Sequence, residues 1–328
     1  MITLIGPIKM IEIIVEKNDS LQRFDRFLKK YLEKAPVSLI QKNIRKKNFK
    51  INDKRAKAND IVKEGDKVTM YIKDSDFNKW RRKNNLVAGN FDLDIIYEDD
   101  NLIIMDKKPG LLTHAASKKD YGKNLVDSMT SYLIKTGQVN TRDKTFRPAV
   151  VNRLDRNTGG LVIGAKNALA LRSLNKAIRE NKINKYYLTI VKGKIDKEFI
   201  IDTSISKNEN RNRVKASSKG SRIITEFKPL EVKNEFTVLE CKLVTGKTHQ
   251  IRFSLKENST PIIGDRKYGD KKLNRVIFKK TNLHNQLLLA YKLVFLQIDG
   301  LEYLNNKEFY SNEVDDFNKI KKAVFYEL

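Results

Sequence analysis

One carboxylate stands out for its company. In the stretch NRLDRNTGGLVIGAKN (152–167), Asp155 lies between Arg153 and Arg156 and ahead of Gly159 and Gly160, which lead into an apolar run. Glycines allow close backbone approach or positive φ, and the apolar run reads as a strand. The pattern therefore sets a charged side chain at the mouth of a sheet, where it could act as nucleophile or base. Taken alone, it fits a salt-bridged surface loop better than a catalytic one.

Two further stretches carry reactive residue types. VTGKTHQIRFSLKENSTPIIGDRKYGD (244–270) holds His249 and Arg252. Its Gly246-Lys247-Thr248 imitates the end of a phosphate-binding loop, but such a loop needs a glycine where Cys241 stands. His114, His249 and His284 are far apart and have no cysteine pairs nearby, so no metal site is expected. NKYYLTIVKG (184–193) reads as a strand, which turns Tyr186 and Tyr187 to opposite faces. Either tyrosine could be an ordinary core residue.

The elements that must hold these residues fall into two parts. Phe24, Phe27, Leu28, Tyr31 and Leu32 recur at helical spacing, and Pro36 breaks the chain after them. Ser38 with Gln41 has capping-box spacing and is expected to open a second helix with Leu39, Ile40 and Ile44. A short strand with Phe49 and Ile51, a turn at Asn52-Asp53, a turn at Gly65-Asp66 and a strand with Val68, Met70 and Ile72 follow. Residues 20–73 thus form a separable unit behind an N-terminal leader and strand, 1–19. Residues 74–90 are polar and read as a linker, in which Trp80 either stacks on a base or pins the linker to the second domain. From 91 to 328 the pattern is strand-rich with inserted helices, among them 168–183 and THQIRFSLKEN, which makes the fold class α+β. KKLNRVIFKK (271–280) reads as an inserted surface loop or an RNA contact.

Charge narrows the partner. The 328 residues carry 66 Lys and Arg against 40 Asp and Glu, a net of +26. Such a surface favours polyanions, nucleic acid first, although a Lys-, Asn- and Ile-rich composition can also follow genome base content. No apolar run is long enough to span a bilayer, and no secretory leader is evident. The one cysteine, Cys241, cannot form an internal disulfide, falls in the apolar alternation FTVLECKLV and fits a reducing compartment. A cytoplasmic location and a monomer are expected.

Four stretches, in order along the chain, resemble one family. MDKKPGLLTH (105–114), NRLDRNTGG, NKYYLTIVKG and the 244–270 block are similar to the motifs of the pseudouridine synthases that act on ribosomal and transfer RNA. Three positions depart from the family pattern: Asn152 replaces a histidine, Gly159 a serine and Lys247 an arginine. Residues 20–73 resemble the S4 RNA-binding domain, and the chain looks most like the large-subunit ribosomal RNA synthase of the C type.

That resemblance implies an N-terminal S4-like domain and a catalytic domain built on a mixed, mainly antiparallel sheet. It implies isomerisation of uridine to pseudouridine in structured RNA, with no cofactor and no metal. It assigns the reaction to Asp155, paired with Arg252, with Tyr187 stacking on the uracil or assisting proton transfer and Ile251 as an apolar wall. Whether the carboxylate attacks the base, attacks the sugar or removes a ribose proton stays open. The target base must be flipped out, and Arg153 either fills the vacated space or contacts phosphate. Lys42, Arg45, Lys46 and Lys47, with Lys50, Lys54 and Arg55, are expected to meet RNA phosphates. The competing readings are a non-catalytic ribosome-assembly factor on the same fold and an N-glycosidic hydrolase.

Overall fold

The computed structural model describes residues 8–81, 93–139, 143–208 and 213–327. The first seven residues and most of the expected linker, 82–90, lie outside the described residues. Contacts divide the chain into two compact units, and the segments 133–139, 143–148 and 166–169 belong with the N-terminal one. In the sequence pattern these segments fall within the continuous stretch expected from 91 to 328. Hydrophobic patterning reports which residues are buried, not which unit buries them.

The N-terminal unit contains, in chain order, β1 (Ile8–Ile14), β2 (Gln22–Arg23), α1 (Phe24–Tyr31), α2 (Val37–Arg45), β3 (Phe49–Ile51), β4 (Lys54–Arg55), β5 (Ile61–Val62), β6 (Lys67–Lys73) and α3 (Asp74–Trp80). Strands β1, β6, β3 and β4 form one sheet in that order, and β2 pairs with β5. Phe24, Phe27 and Leu28 of α1 and Ile40 and Ile44 of α2 are buried against Phe49, Val68 and Met70, as residues three and four apart on one helical face should be. Asn52 and Asp53 both take positive φ, 49° and 60°, and turn β3 into β4.

The start of the expected linker is the helix α3, whose Phe77 and Trp80 complete the core of the same unit. Trp80 is therefore a core residue of the N-terminal unit rather than part of an extended linker. Ser38 is not a cap: α2 begins at Val37 with Pro36 at the N-cap, and Gln41 instead donates to Asp25 on α1 at 3.3 Å.

The segment 143–148 is fastened to this unit by a buried carboxylate. Asp19 accepts hydrogen bonds from the amides of Lys144 (2.6 Å), Thr145 (2.7 Å) and Phe146 (3.1 Å) and from the Thr145 hydroxyl (2.8 Å). Four donors are what a fully buried carboxylate requires. Asn18 extends the clasp, donating to Asp143 and accepting from the Ala168 amide.

The second unit contains β7 (Ile95–Glu98), β8 (Leu102–Lys107), α4 (Leu125–Lys135, its end shared with the first unit), β9 (Ala149–Val150), β10 (Gly159–Ala165), α5 (Ala168–Arg179), β11 (Ile183–Lys192), β12 (Phe199–Asn208), β13 (Arg213–Ala216), β14 (Ser221–Lys233), β15 (Phe236–Leu243), α6 (Gln250–Glu257), α7 (Lys271–Thr281), β16 (Leu288–Phe295), β17 (Glu308–Tyr310) and α8 (Val314–Tyr326). Among the described residues its strands form one sheet, ordered β13-β12-β14-β15-β11-β16-β10-β8-β7, with β17 on β16 and β9 on β10. Every described pairing is antiparallel except β10 with β16, so the α+β expectation with a mixed, mainly antiparallel sheet holds. α5 covers one part of the sheet with Ala170, Leu174 and Ala177. α7 and α8 cover another with Ile277, Phe317, Val324 and Phe325.

The stretch 271–280, read from sequence as a surface loop or an RNA contact, is the helix α7. Asp270 caps it, accepting from the amides of Lys272 and Leu273, and Ile277 buries its inner face. Its cationic outer face hides that stripe in a composition reading.

Candidate active site

The parallel pairing of β10 with β16 shapes the site. Gly160 takes φ +110°, and a Cβ there would lie 2.2 Å from the Ala290 carbonyl oxygen. Only glycine lets β10 run beside β16 at Gly160↔Ala290. On its other edge β16 pairs with β11, and the register shifts between Tyr186 and Leu188, an irregularity of the kind that re-aims a side chain. Tyr187 sits at that shift, and the loop carrying Asp155 ends at β10.

That loop, 151–158, is tied down along its length. Asn152 donates to the Leu161 carbonyl (3.0 Å) and accepts from the Ile163 amide (2.8 Å). Its amide thus fills both roles needed to hold the loop to β10, although the family usually places an imidazole there. The Thr113 hydroxyl bonds both the carbonyl and the amide of Leu154. Asn157 reaches Asn285 at 2.8 Å, and the Thr158 amide closes back on the Asp155 carbonyl at 3.1 Å. The unusual Gly159 faces Pro109, whose ring lies 3.2 Å from where a Cβ would stand. A serine would be tight there.

Below the loop, Lys107 is fully buried. Its ammonium donates to the carbonyls of Lys108 (3.0 Å), Leu111 (2.9 Å) and Arg156 (3.0 Å). Burial pushes its pKa down to about 7, while Asp155 and Asp106 pull it up. Three carbonyl acceptors need three N–H donors, which only the charged form supplies.

The charged side chains around Asp155 form an ion triad. Arg252, on α6, donates from Nη1 to Asp155 Oδ2 at 2.8 Å. Its other edge forms a bidentate pair with Asp265, Nε to Oδ2 at 2.7 Å and Nη2 to Oδ1 at 3.0 Å. Both members of that pair are buried, at 6% and 0% side-chain exposure, whereas Asp155 keeps 26%. Burial opposes the guanidinium charge, but Asp265 and Asp155 hold Arg252 above its ordinary range. Burial likewise opposes the Asp265 charge. Arg252 and the amides of Lys267 and Tyr268 overcome it and hold that carboxyl below its ordinary range. Among the described residues, no hydrogen bond reaches Asp155 Oδ1.

Tyr187 faces this group. Burial, then the Asp155 and Cys241 charges, push its phenol well above the ordinary value, so it stays protonated at neutral pH as a donor. Tyr186 points the other way, under Lys292 at 4.4 Å. Ile251 is buried. Arg153 is exposed and close enough to His114 to help burial lower that imidazole's pKa. The structure thus brings Asp155, Tyr187 and Arg252 together. Lys42, Arg45, Lys46 and Lys47 lie in the other unit, all exposed at the end of α2. Among the described residues none of those four has an ion pair or a side-chain hydrogen bond. Lys54 and Arg55 are exposed as well, while Lys50 lies over the Tyr71 ring.

Sequence reasoning missed Asp265, Lys107, His249 and Tyr268 as members of the site. The signal lay inside the quoted motifs, where each charged or aromatic residue beside Asp155 or Arg252 had a partner to find. The pairing itself crosses from one motif to another. Among the described residues, no three His, Cys, Asp or Glu side chains gather as a metal ion would require.

Comparison with known proteins gives these features a context. Residues 101–257 match the family model described as RNA pseudouridylate synthase. The chain is 34% identical over 295 residues to ribosomal large subunit pseudouridine synthase C of Buchnera aphidicola, covering 86% of this chain and 88% of that one. It is 36% identical over 315 residues to an uncharacterized RNA pseudouridine synthase of Mycoplasma capricolum, covering 92% and 98%. Among solved structures, human RNA pseudouridylate synthase domain containing 4 matches with a TM-score of 0.54 at 20% identity, over 69% of this chain and 92% of that one. That likeness speaks for the fold alone.

Proposed function

The chain belongs to the RNA pseudouridylate synthase family, and from that premise we propose that it isomerises uridines of large-subunit ribosomal RNA with Asp155 as the reacting carboxylate. The observation that carries this is the division of labour on that carboxylate. Arg252 occupies Oδ2 and is itself locked by Asp265, which leaves Oδ1 to meet the nucleoside. A non-catalytic RNA binder has no use for a buried Asp–Arg pair aimed at a partly exposed carboxylate, because burying those charges is costly.

Isomerisation breaks the bond from ribose to uracil N1 and joins the same carbon to C5, while C5 gives up its proton to a base and N1 gains one. Nothing is oxidised and nothing is released, so a carboxylate, a proton donor and a shaped cavity suffice. Tyr187, kept neutral, is the donor beside the base, and Ile251 forms an apolar wall. Arg153 is exposed two residues from Asp155, where it would fill the space left by the flipped uridine. The N-terminal unit, read as S4-like, supplies RNA affinity through Lys42, Arg45, Lys46 and Lys47. Such an enzyme works as a monomer in the cytoplasm, beside nascent ribosomes. No described helix is long and apolar enough to cross a membrane.

The test is purified protein with a large-subunit ribosomal RNA transcript, mapped for pseudouridine and weighed by mass spectrometry. New pseudouridine at unchanged RNA mass supports the proposal. Free uracil would make the enzyme a hydrolase, and unmodified RNA bound at the same affinity would make it a binder.

A further inference from the structure

Helix α7 has an outer face that its own folding does not explain. It buries Ile277 and turns Lys271, Lys272, Arg275, Lys279 and Lys280 to solvent. Lys271, Arg275 and Lys279 stand four residues apart, so they line up as one cationic stripe. Like charges at that spacing repel and weaken a helix. The first turn holds two lysines and no acidic residue, which sets positive charge at the positive end of the helix dipole. Among the described residues none of the five side chains pairs with a carboxylate. The neighbouring α8, by contrast, opens with Asp315 and Asp316 and pairs Lys319 with Asp316 at 2.7 Å.

Aromatic surface lies among these cations. Phe278 is 42% exposed and meets the ring of His284 at 4.6 Å, tilted by 57°, and His284 is exposed as well. Cations for phosphates beside a ring platform for a base are what a single strand of nucleic acid requires. The helix is also fastened at both ends to the loops of the candidate active site. Asn274 accepts from the Gly264 amide at 2.7 Å and donates to the Asp265 carbonyl at 3.0 Å. Just past the C-terminus of α7, Arg266 donates to the His284 carbonyl at 2.7 Å. Asn285 accepts there from Asn157, on the loop of Asp155, at 2.8 Å.

We propose that the outer face of α7 is a second RNA-contact surface, on the second unit. Lys271, Arg275 and Lys279 meet phosphates, and the Phe278–His284 platform stacks an unpaired base of the strand flanking the target uridine. This rests on the reading that the substrate is RNA, and it adds a contact beyond the α2 cations of the N-terminal unit. Because α7 shares hydrogen bonds with the loops that carry Asp155 and Asp265, a strand seated on it is held in register with the reacting carboxylate. The repulsion along the stripe is relieved when phosphates neutralise it, as counterion release requires.

The test is equilibrium binding of the full-length protein to a large-subunit ribosomal RNA transcript over a range of salt concentrations. The triple variant Lys271→Gln, Arg275→Gln, Lys279→Gln should lower the salt slope by roughly two and weaken binding roughly ten-fold at fixed salt. Its urea midpoint should hold or rise, because like charges have been removed. A second triple variant, Lys194→Gln, Lys197→Gln, Lys322→Gln, removes the same charge from exposed positions elsewhere on the same unit and should change the slope far less. An unchanged slope in the α7 variant, or an equal loss in both, overturns the proposal. Phe278→Ala should weaken binding roughly five-fold or more at every salt concentration. Phe278→Tyr should restore it and Phe278→Leu should not. Leucine binding as well as phenylalanine would reduce the ring to packing and overturn the stacking platform. If the unaltered protein binds this RNA with no salt dependence, the RNA reading itself falls, whatever the variants do.

Discussion

The two charged regions of this protein use the same residue types in opposite ways. At the end of α2 the cations Lys42, Arg45, Lys46 and Lys47 are exposed and have no ion pair among the described residues. At the Asp155 site Arg252 is buried, and all three of its hydrogen-bonding nitrogens are committed to carboxylates. Unpaired surface cations attract a polyanion from a distance and release counterions on contact. A buried, fully paired guanidinium attracts nothing from solution, but it holds one oxygen in place in a low dielectric. On the proposed reading, affinity and chemistry are physically separable in this chain.

The largest effect is expected at Asp155. Replacing it with asparagine should lower the single-turnover rate by on the order of 1,000-fold or more while RNA affinity changes only several-fold. Substantial turnover in that variant would remove the carboxylate from the reaction. Next comes Asp265→Asn, which leaves Arg252 half-paired in the interior. Breaking a buried pair costs about 3–5 kcal/mol of stability, visible as a lower urea midpoint, and the rate should fall with it because Asp155 loses its anchor. An unaltered midpoint would mean that Arg252 finds another partner.

Third, alanine at Lys42, Arg45, Lys46 and Lys47 together should raise KM about ten-fold and reduce the salt slope of RNA binding by roughly 0.7–0.9 per lost phosphate contact. The rate at saturating RNA should stay within about two-fold. An unchanged salt slope would remove this face from RNA recognition. Substitution is a cleaner probe than truncation, because deleting the N-terminal unit also removes Asp19 and strands the amides of Lys144, Thr145 and Phe146.

The smallest effect concerns pH. The His249 pKa is about 4 in the fold against an ordinary 6.5, so on acidification the unfolded chain binds that proton first. Its share of stability is whole above pH 6.5 and is lost as pH falls toward 4. His249→Gln should flatten the stability profile in this window in chemical denaturation. A profile as steep as that of the unaltered protein would assign the loss to other groups.

Much of this was legible in the chain before any coordinates. Helical spacing marked α1 and α2, alternation marked β6, β11 and β15, and four ordered motifs pointed to Asp155, Tyr187 and Arg252. Local patterning can do this because burial on one face imposes a period on neighbouring residues. It failed where a residue's role depended on a partner far along the chain. Trp80 looked like a linker residue because its core lies in the preceding unit. α7 looked like a loop because lysines surround its apolar stripe, and the segment around Thr145 gave no sign that Asp19 holds it.

By itself, then, the sequence determined most of the elements, the charge and the candidate reactive groups. Tertiary structure alone decided which oxygen of Asp155 is gripped, that Asp265 locks Arg252, and that His249 stands beside them. The physical reason is distance: hydrogen bonds act over about 3 Å, and only folding brings residues some hundred positions apart within that reach.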